Sequence, residues 1–278
     1  MSGTATAESW SGKDRGDENF PVGSLLIRRD LREHVHAFYA FARNADDIAD
    51  SPTLPPDEKI ARLDTMEDVL LGRRDAGSPS ALRLRGSLAE TGVTSGHSTD
   101  LLIAFRRDAT KQRYASWEEL LDYCRYSAMP VGRHVLDLHG EDRATYEPSD
   151  ALCTSLQVLN HLQDCAKDLA ALDRCYLPTD LLADFGTSVD EVRNTAETPA
   201  LRRVFDALLD RVDALNRASI DLPRRTRNRR LRLETAVIVG LAYRLARRLR
   251  RGDPVARRVK LSKGDAIRSS LGALRWLP

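Results

Sequence analysis

From Leu31 onward the apolar residues of this chain recur at the spacing of a helix, and hardly any stretch alternates with the period of a strand. Leu31, Val35, Phe38, Ala42, Ala45 and Ala49 share one face of a helix that Pro52, Pro55 and Pro56 stop. Helical spacing returns over about 57–72, 81–91 and 97–109. A long segment opens with a capping box, Ser116 to Glu119, and carries Pro130 inside it. Another begins with Ser149 or Asp150 as its N-cap, and later ones cover about 199–220, 230–251 and 263–273. The expected fold class is all-α, with six or more helices around one core in a single domain, 18–278. Residues 1–17 are small and polar, have little to bury, and read as a disordered tail.

With 278 residues, 42% of them apolar, the chain can bury a substantial core. Cys124, Cys153, Cys165 and Cys175 form no CxxC pair and no zinc-ligand spacing, which points to reduced thiols and a cytoplasmic protein. No apolar leader is expected at the start. The longest apolar run, AVIVGLAY at 236–243, falls far short of the ~20 residues that span a bilayer.

Charge placement is less ordinary. FARNADDIAD, Phe41 to Asp50, puts three carboxylates within five residues of an otherwise largely apolar helix. At ~100° per residue, Tyr39, Arg43, Asp46, Asp47 and Asp50 fall within an arc of about 100°. Asp46 and Asp50 are i,i+4 neighbours and repel each other unless a cation or water meets them. QVLNHLQDCAKD repeats the device, with Gln157, Asn160, Asp164 and Asp168 on one polar face. Either both faces are merely solvated, or they look at each other across a cavity. The second arrangement suits hard divalent cations, above all Mg²⁺, with Asp46, Asp50, Asn160, Asp164 and Asp168 as oxygen ligands.

These motifs carry a resemblance. DDIAD and NHLQDCAKD are similar to the paired aspartate-rich motifs of isoprenoid synthases, and the second resembles the NxxxDxxxD form of the squalene/phytoene synthase family. DRCYLP, Asp173 to Pro178, and YCRYSAMPVG, Tyr123 to Gly132, fit the same family. ENFPV at 18–22, YAFARNADDIAD at 39–50 and SAMPVGRHVLDLHGE at 127–141 resemble its bacterial hydroxysqualene-forming branch, which serves squalene and hopanoid synthesis. The resemblance implies an isoprenoid synthase fold, with helices around a central apolar cavity. By the same token, Asp46, Asp50, Asn160, Asp164 and Asp168 would be magnesium–diphosphate binders, and Arg43 a diphosphate contact. Tyr126 would face the reacting carbons, with Gln157, Phe20 and Tyr39 at the substrate, and Arg174 and Tyr176 on the diphosphate or gating its site. The implied reaction is conversion of presqualene diphosphate to hydroxysqualene by ionisation, carbocation rearrangement and water capture. Head-to-head condensation of two prenyl diphosphates, and a non-catalytic prenyl-diphosphate-binding partner, stay open.

One departure from the family pattern is Ala128-Met129-Pro130, where most condensing members carry an Ala-Gly pair. Pro130 cannot donate to the Tyr126 carbonyl, so a kink is expected beside Tyr126. His161 shares the arc of the second aspartates, and Lys111, Arg113 and Tyr114 resemble a segment near the family's cavity mouth. Between Arg224 and Lys260 stand fourteen Lys/Arg and two acids, Glu234 and Asp253. That run fits peripheral contact with an anionic membrane, or a solvated face that lends an arginine to the diphosphate; it is not read as a nucleic-acid site. A presqualene diphosphate synthase is a candidate partner supplying the substrate.

Overall fold

The computed structural model describes residues 6–8 and 27–276. The helices are α1 (Arg32–Ala49), α2 (Pro56–Leu70), α3 (Pro79–Thr91), α4 (Gly96–Asp108), α5 (Trp117–Ser127), α6 (Met129–Leu138), α7 (Tyr146–Leu172), α8 (Thr179–Asp184), α9 (Pro199–Ser219), α10 (Asp221–Arg225), α11 (Arg229–Leu249) and α12 (Lys263–Ala273). Among the described residues the only β feature is an isolated bridge between Arg113 and Cys175. The all-α expectation therefore holds.

Local chemistry sets the boundaries. Ser78, Ser116, Thr198, Asn228 and Ser262 accept first-turn backbone N–H groups through their side chains. Prolines open α2, α3 and α9, where the missing N–H would have had no helical acceptor. Pro130 does more than kink a helix. It sits in the first turn of α6, and the chain breaks at Ala128 into two helices.

The start of α7 corrects the sequence reading. Neither Ser149 nor Asp150 is its N-cap, because the helix already runs from Tyr146. Pro148 is tolerated in its first turn. The Asp150 carboxylate instead takes a forked pair from Arg133 of α6, at 2.9 and 2.5 Å. Gly132 makes that approach close: a Cβ there would collide with Ser149 Oγ and lie 2.7 Å from Cys153 Sγ.

Two apolar clusters result. One gathers α1 to α4 around Phe41, Ile48, Met66 and Leu102. The other surrounds α7, α9 and α11, with Leu159, Leu162, Phe205 and Leu209. α1 packs on α2, α3 and α4, whereas α7 packs on α5, α6, α9 and α11. The two acidic helices thus belong to different halves of the molecule, with a cavity between them. Of the expected tail, only residues 6–8 are described: Ala7 donates its N–H to the Gly77 carbonyl at 2.8 Å, and Glu8 accepts from the Ser80 N–H at 2.9 Å. All four cysteines are free thiols, three of them buried.

Candidate active site

The cavity holds about 480 Å³. α1 contributes Val35, Phe38, Tyr39, Ala42, Arg43 and Asp46; α7 contributes Leu152, Cys153, Leu156 and Gln157; α6 and α11 close the sides. Most of this wall is hydrocarbon. Arg43, Asp46, Tyr39 and Gln157 concentrate polarity where the two acidic faces begin.

On α1 two of the three carboxylates are met from within the helix. Arg43 reaches Asp46 at 3.2 Å and the buried Asp47 at 2.9 Å, its i+3 and i+4 neighbours. Asp50, at the end of the helix, takes Arg174 Nη1 at 2.9 Å. Lys59 of α2 donates to the Ala49 carbonyl at 2.8 Å, beside the last turn of α1, where helix carbonyls lack partners.

On α7 the charge is met from afar or not at all. Asp164 receives a forked pair from Arg258, at 2.6 and 2.9 Å. The loop carrying Arg258 is held down because Gln163 donates to the Val259 carbonyl. Asp168 forms no ion pair among the described residues. Burial pushes its carboxyl up to about 7, and the negative charges of Asp164 and Asp50 push the same way. Asp50 caps α1 and Asp168 lies on α7; Arg174, whose guanidinium takes Asp50, donates its backbone N–H to the Asp168 carbonyl at 3.3 Å, so the ends of the two acidic faces meet at one residue.

Beneath them lies a buried network that spacing alone does not reveal. Asp108, at the end of α4, accepts from Tyr123 Oη at 2.7 Å and Tyr176 Oη at 3.1 Å. Burial raises its carboxyl to about 6, although Arg174 and the two phenols oppose that rise. Arg174 also donates to the Asp108 carbonyl at 2.8 Å, which fixes the guanidinium between the network and Asp50. The turn delivering Arg174 depends on Asp173, the one non-glycine residue with positive φ (50°) among those described. Asp tolerates that conformation, and its carboxylate takes Arg113 and Arg193, each at 2.9 Å. His161 stacks on Tyr176 with ring centroids 3.5 Å apart, and burial holds it neutral, down at about 3.

The structure brings together Tyr39, Arg43, Asp46 and Gln157 at the cavity, with Asp50, Asp164, Asp168 and Arg174 in one electrostatic neighbourhood. Asn160 lies a turn from Asp164 on the same helix, half-buried. Tyr176 sits behind the carboxylates in the tyrosine network. Tyr126 departs from its expected place. It does not line the cavity; Arg107 lies over its ring at 4.7 Å. Tyr123, about 60° away on the same helix, lines it instead. Phe20 and the ENFPV stretch lie outside the described residues. Lys111 pairs with Glu119, and Tyr114 is buried against Tyr123 and Tyr176. Sequence reasoning missed Asp108, Lys59, Arg258 and the buried cavity-lining Glu234.

The donor set is entirely oxygen, which fits a hard divalent cation. No three Asp, Glu, His or Cys side chains converge on a single point among the described residues. Such a cation need take only one or two carboxylates, the remaining positions going to water and phosphate oxygens. Carboxylates interleaved with Arg43, Lys59, Arg174 and Arg258, set at the end of an apolar cavity, suit a polyanionic head group on a hydrocarbon chain.

Residues 13–265 match the model of the squalene/phytoene synthase family, and the chain belongs to that family as one of its enzymes. It is 45% identical to the hydroxysqualene synthase of Rhodopseudomonas palustris, over 98% of this chain and 92% of that one. Against the hydroxysqualene synthase of Sinorhizobium fredii the identity is 44%, over 93% and 88%. The crystal structure of a squalene synthase from Alicyclobacillus acidocaldarius superposes with a TM-score of 0.75 at 35% identity, covering 85% of this chain and 90% of that one.

Proposed function

We propose that this enzyme converts presqualene diphosphate to hydroxysqualene, in a magnesium-dependent reaction serving squalene and hopanoid synthesis. The observation that carries the reading is the apolar cavity of about 480 Å³ ending on Arg43 and Asp46 of one acidic face and on Gln157, where the other begins. The identity of 44–45% to two relatives named for this activity supports it.

Asp46, Asp50, Asn160, Asp164 and Asp168 would hold magnesium, which when bound stabilises the charge of the departing diphosphate. The residues of the chain do the rest. Arg43 and Arg174 bind and orient the head group. Val35, Phe38, Leu152 and Leu156 keep bulk water from the carbocation. Glu234 and Thr235 are polar groups in the cavity wall able to hold a single water for capture. Tyr123, fixed by Asp108, presents its ring to the same space. Substrate would come from a presqualene diphosphate synthase, and the enzyme would work at an anionic membrane face.

A second reading is condensation of two farnesyl diphosphates, favoured by the 35% identical structure named a squalene synthase. One assay separates the two. The purified protein is given presqualene diphosphate or farnesyl diphosphate, with and without Mg²⁺ and NADPH, and the organic product is identified. Hydroxysqualene from presqualene diphosphate, with Mg²⁺ and without NADPH, is expected. Consumption of farnesyl diphosphate would transfer the chain to the condensing class, and turnover of neither would leave a binding protein.

A further inference from the structure

α12 is turned the unusual way round. Its buried residues are Asp265, Ser269 and Ala273, small or polar, while Ile267, Leu271 and, in the turn that continues the helix, Leu274 stand 60%, 62% and 53% exposed. At ~100° per residue the two sets occupy opposite faces of the helix. This orientation is built. Ser269 lies so close to Gly240 of α11 that a Cβ on the glycine would come within 3.1 Å of its hydroxyl. Arg248 clamps Asp265 at 2.6 Å, and Ser262 and Asp265 form a reciprocal capping box. The apolar stripe therefore faces outward because the inward face is fully committed.

Beside the stripe, α11, α12 and the intervening loop form a basic cleft. Five of its cations, Arg247, Arg251, Arg257, Lys260 and Arg268, are exposed and form no ion pair among the described residues. Lys263 and Arg268 flank the stripe on either side by the same helical geometry. Exposed hydrocarbon bordered by unneutralised cations is complementary to one kind of surface, an anionic bilayer. The other face of α11 lines the cavity through Leu231, Thr235 and Ile238, so one helix joins this surface to the cavity.

We infer that α12 is an in-plane membrane anchor: Ile267, Leu271 and Leu274 enter the acyl boundary while the basic cleft takes anionic lipid headgroups. The inference rests on the reading of substrate and product as lipids and adds the residues that meet the membrane.

The test is co-flotation of the full chain with phosphatidylcholine vesicles, with and without phosphatidylglycerol, alongside turnover of presqualene diphosphate in detergent micelles. Wild type is expected to bind the anionic vesicles at least about tenfold more tightly, and to lose that preference at high salt. The combined variant Ile267→Ser, Leu271→Ser, Leu274→Ser should lose about tenfold or more in vesicle binding and keep its micellar turnover and melting temperature. Leu271→Trp provides a second readout, a blue-shifted emission quenched by brominated lipid. Equal binding by the serine variant, an emission from the Leu271→Trp protein that vesicles neither shift nor quench, or no flotation of the wild type would overturn the anchor. So would a dimer that the serine substitutions dissolve in the absence of lipid, since the stripe would then be an interface between copies. Loss of micellar turnover in the wild type would instead count against the proposed activity and leave the anchor standing.

Discussion

α1 and α7 carry matching rows of carboxylates but handle the charge in opposite ways. On α1, Arg43 lies one turn from Asp46 and Asp47, so two of the three carboxylates are compensated within the helix, and only Asp50 draws on a distant residue, Arg174. On α7, the cation for Asp164 comes from Arg258, in a loop reached only after two further long helices, and Asp168 has none among the described residues. A pair one turn apart is available as soon as the helix forms, whereas the Arg258–Asp164 pair exists only once the loop after α11 has packed against α7. Each carboxylate of the first row thus has a cationic partner, and the second is left short of positive charge, on the side where a cation or a cationic complex gains most by binding.

The largest effect should come from deleting one carboxylate on each side. Asp46→Ala and Asp164→Ala are each expected to lower turnover of presqualene diphosphate by about a hundredfold or more, on the scale of losing one key electrostatic contact. Circular dichroism and thermal melting should show the fold retained, because the arginine partners, Arg43 and Arg258, are partly exposed and regain water. Unfolding of either variant would mean that the carboxylate is structural and that its row does not bind ligand.

Next is Arg174, which ties the α1 row to the buried network at the end of α4. Arg174→Gln removes the cation that takes Asp50, donates to the Asp108 carbonyl and lies 3.9 Å from the buried Asp108 carboxylate. Stranding a buried partner costs about 3–5 kcal/mol, measurable by urea titration. Arg174→Lys should recover little, since a point charge cannot serve the Asp50 carboxylate, the Asp108 carbonyl and Tyr176 together. A loss below about 1 kcal/mol would show that α1 is not coupled to the Asp108 network through this guanidinium.

The same contrast explains what was legible in the sequence. Arg43, Asp46, Asp50, Asp164 and Asp168 announce themselves because helical periodicity brings i+3 and i+4 neighbours onto one face. Asp108 could not be read, because its partners Tyr123, Arg174 and Tyr176 stand far along the chain and its immediate neighbours Arg106 and Arg107 make it look like surface charge. Arg258 and Glu234 were hidden in the basic run, whose composition suggests one uniform face, yet one pairs with Asp164 and the other lines the cavity. Tyr126 and Tyr123 sit on adjacent arcs of one helix, and only the packing of α5 against its neighbours decides which ring meets the cavity. Pro148 disguised the start of α7, since a proline inside a periodic run reads as a boundary although the first turn accepts it.

The smallest and sharpest effect concerns Asp168. Its folded-state carboxyl titrates at about 7, above the unfolded value of 3.8, so the native protein holds a proton that the unfolded chain has already lost. Stability of the ligand-free protein must then fall as pH rises from about 4 to 7, because the unfolded state binds fewer protons across that window. Asp168→Asn removes this contribution and should raise stability at pH 8 by about 1–2 kcal/mol, allowing for the partial exposure of the site, while changing little at pH 4. Part of the slope should persist, since Asp108 is also raised, to about 6. Melting curves of both proteins across this pH range supply the check. If the two curves run parallel, Asp168 is compensated in solution as fully as its counterparts on α1, and the asymmetry between the rows disappears.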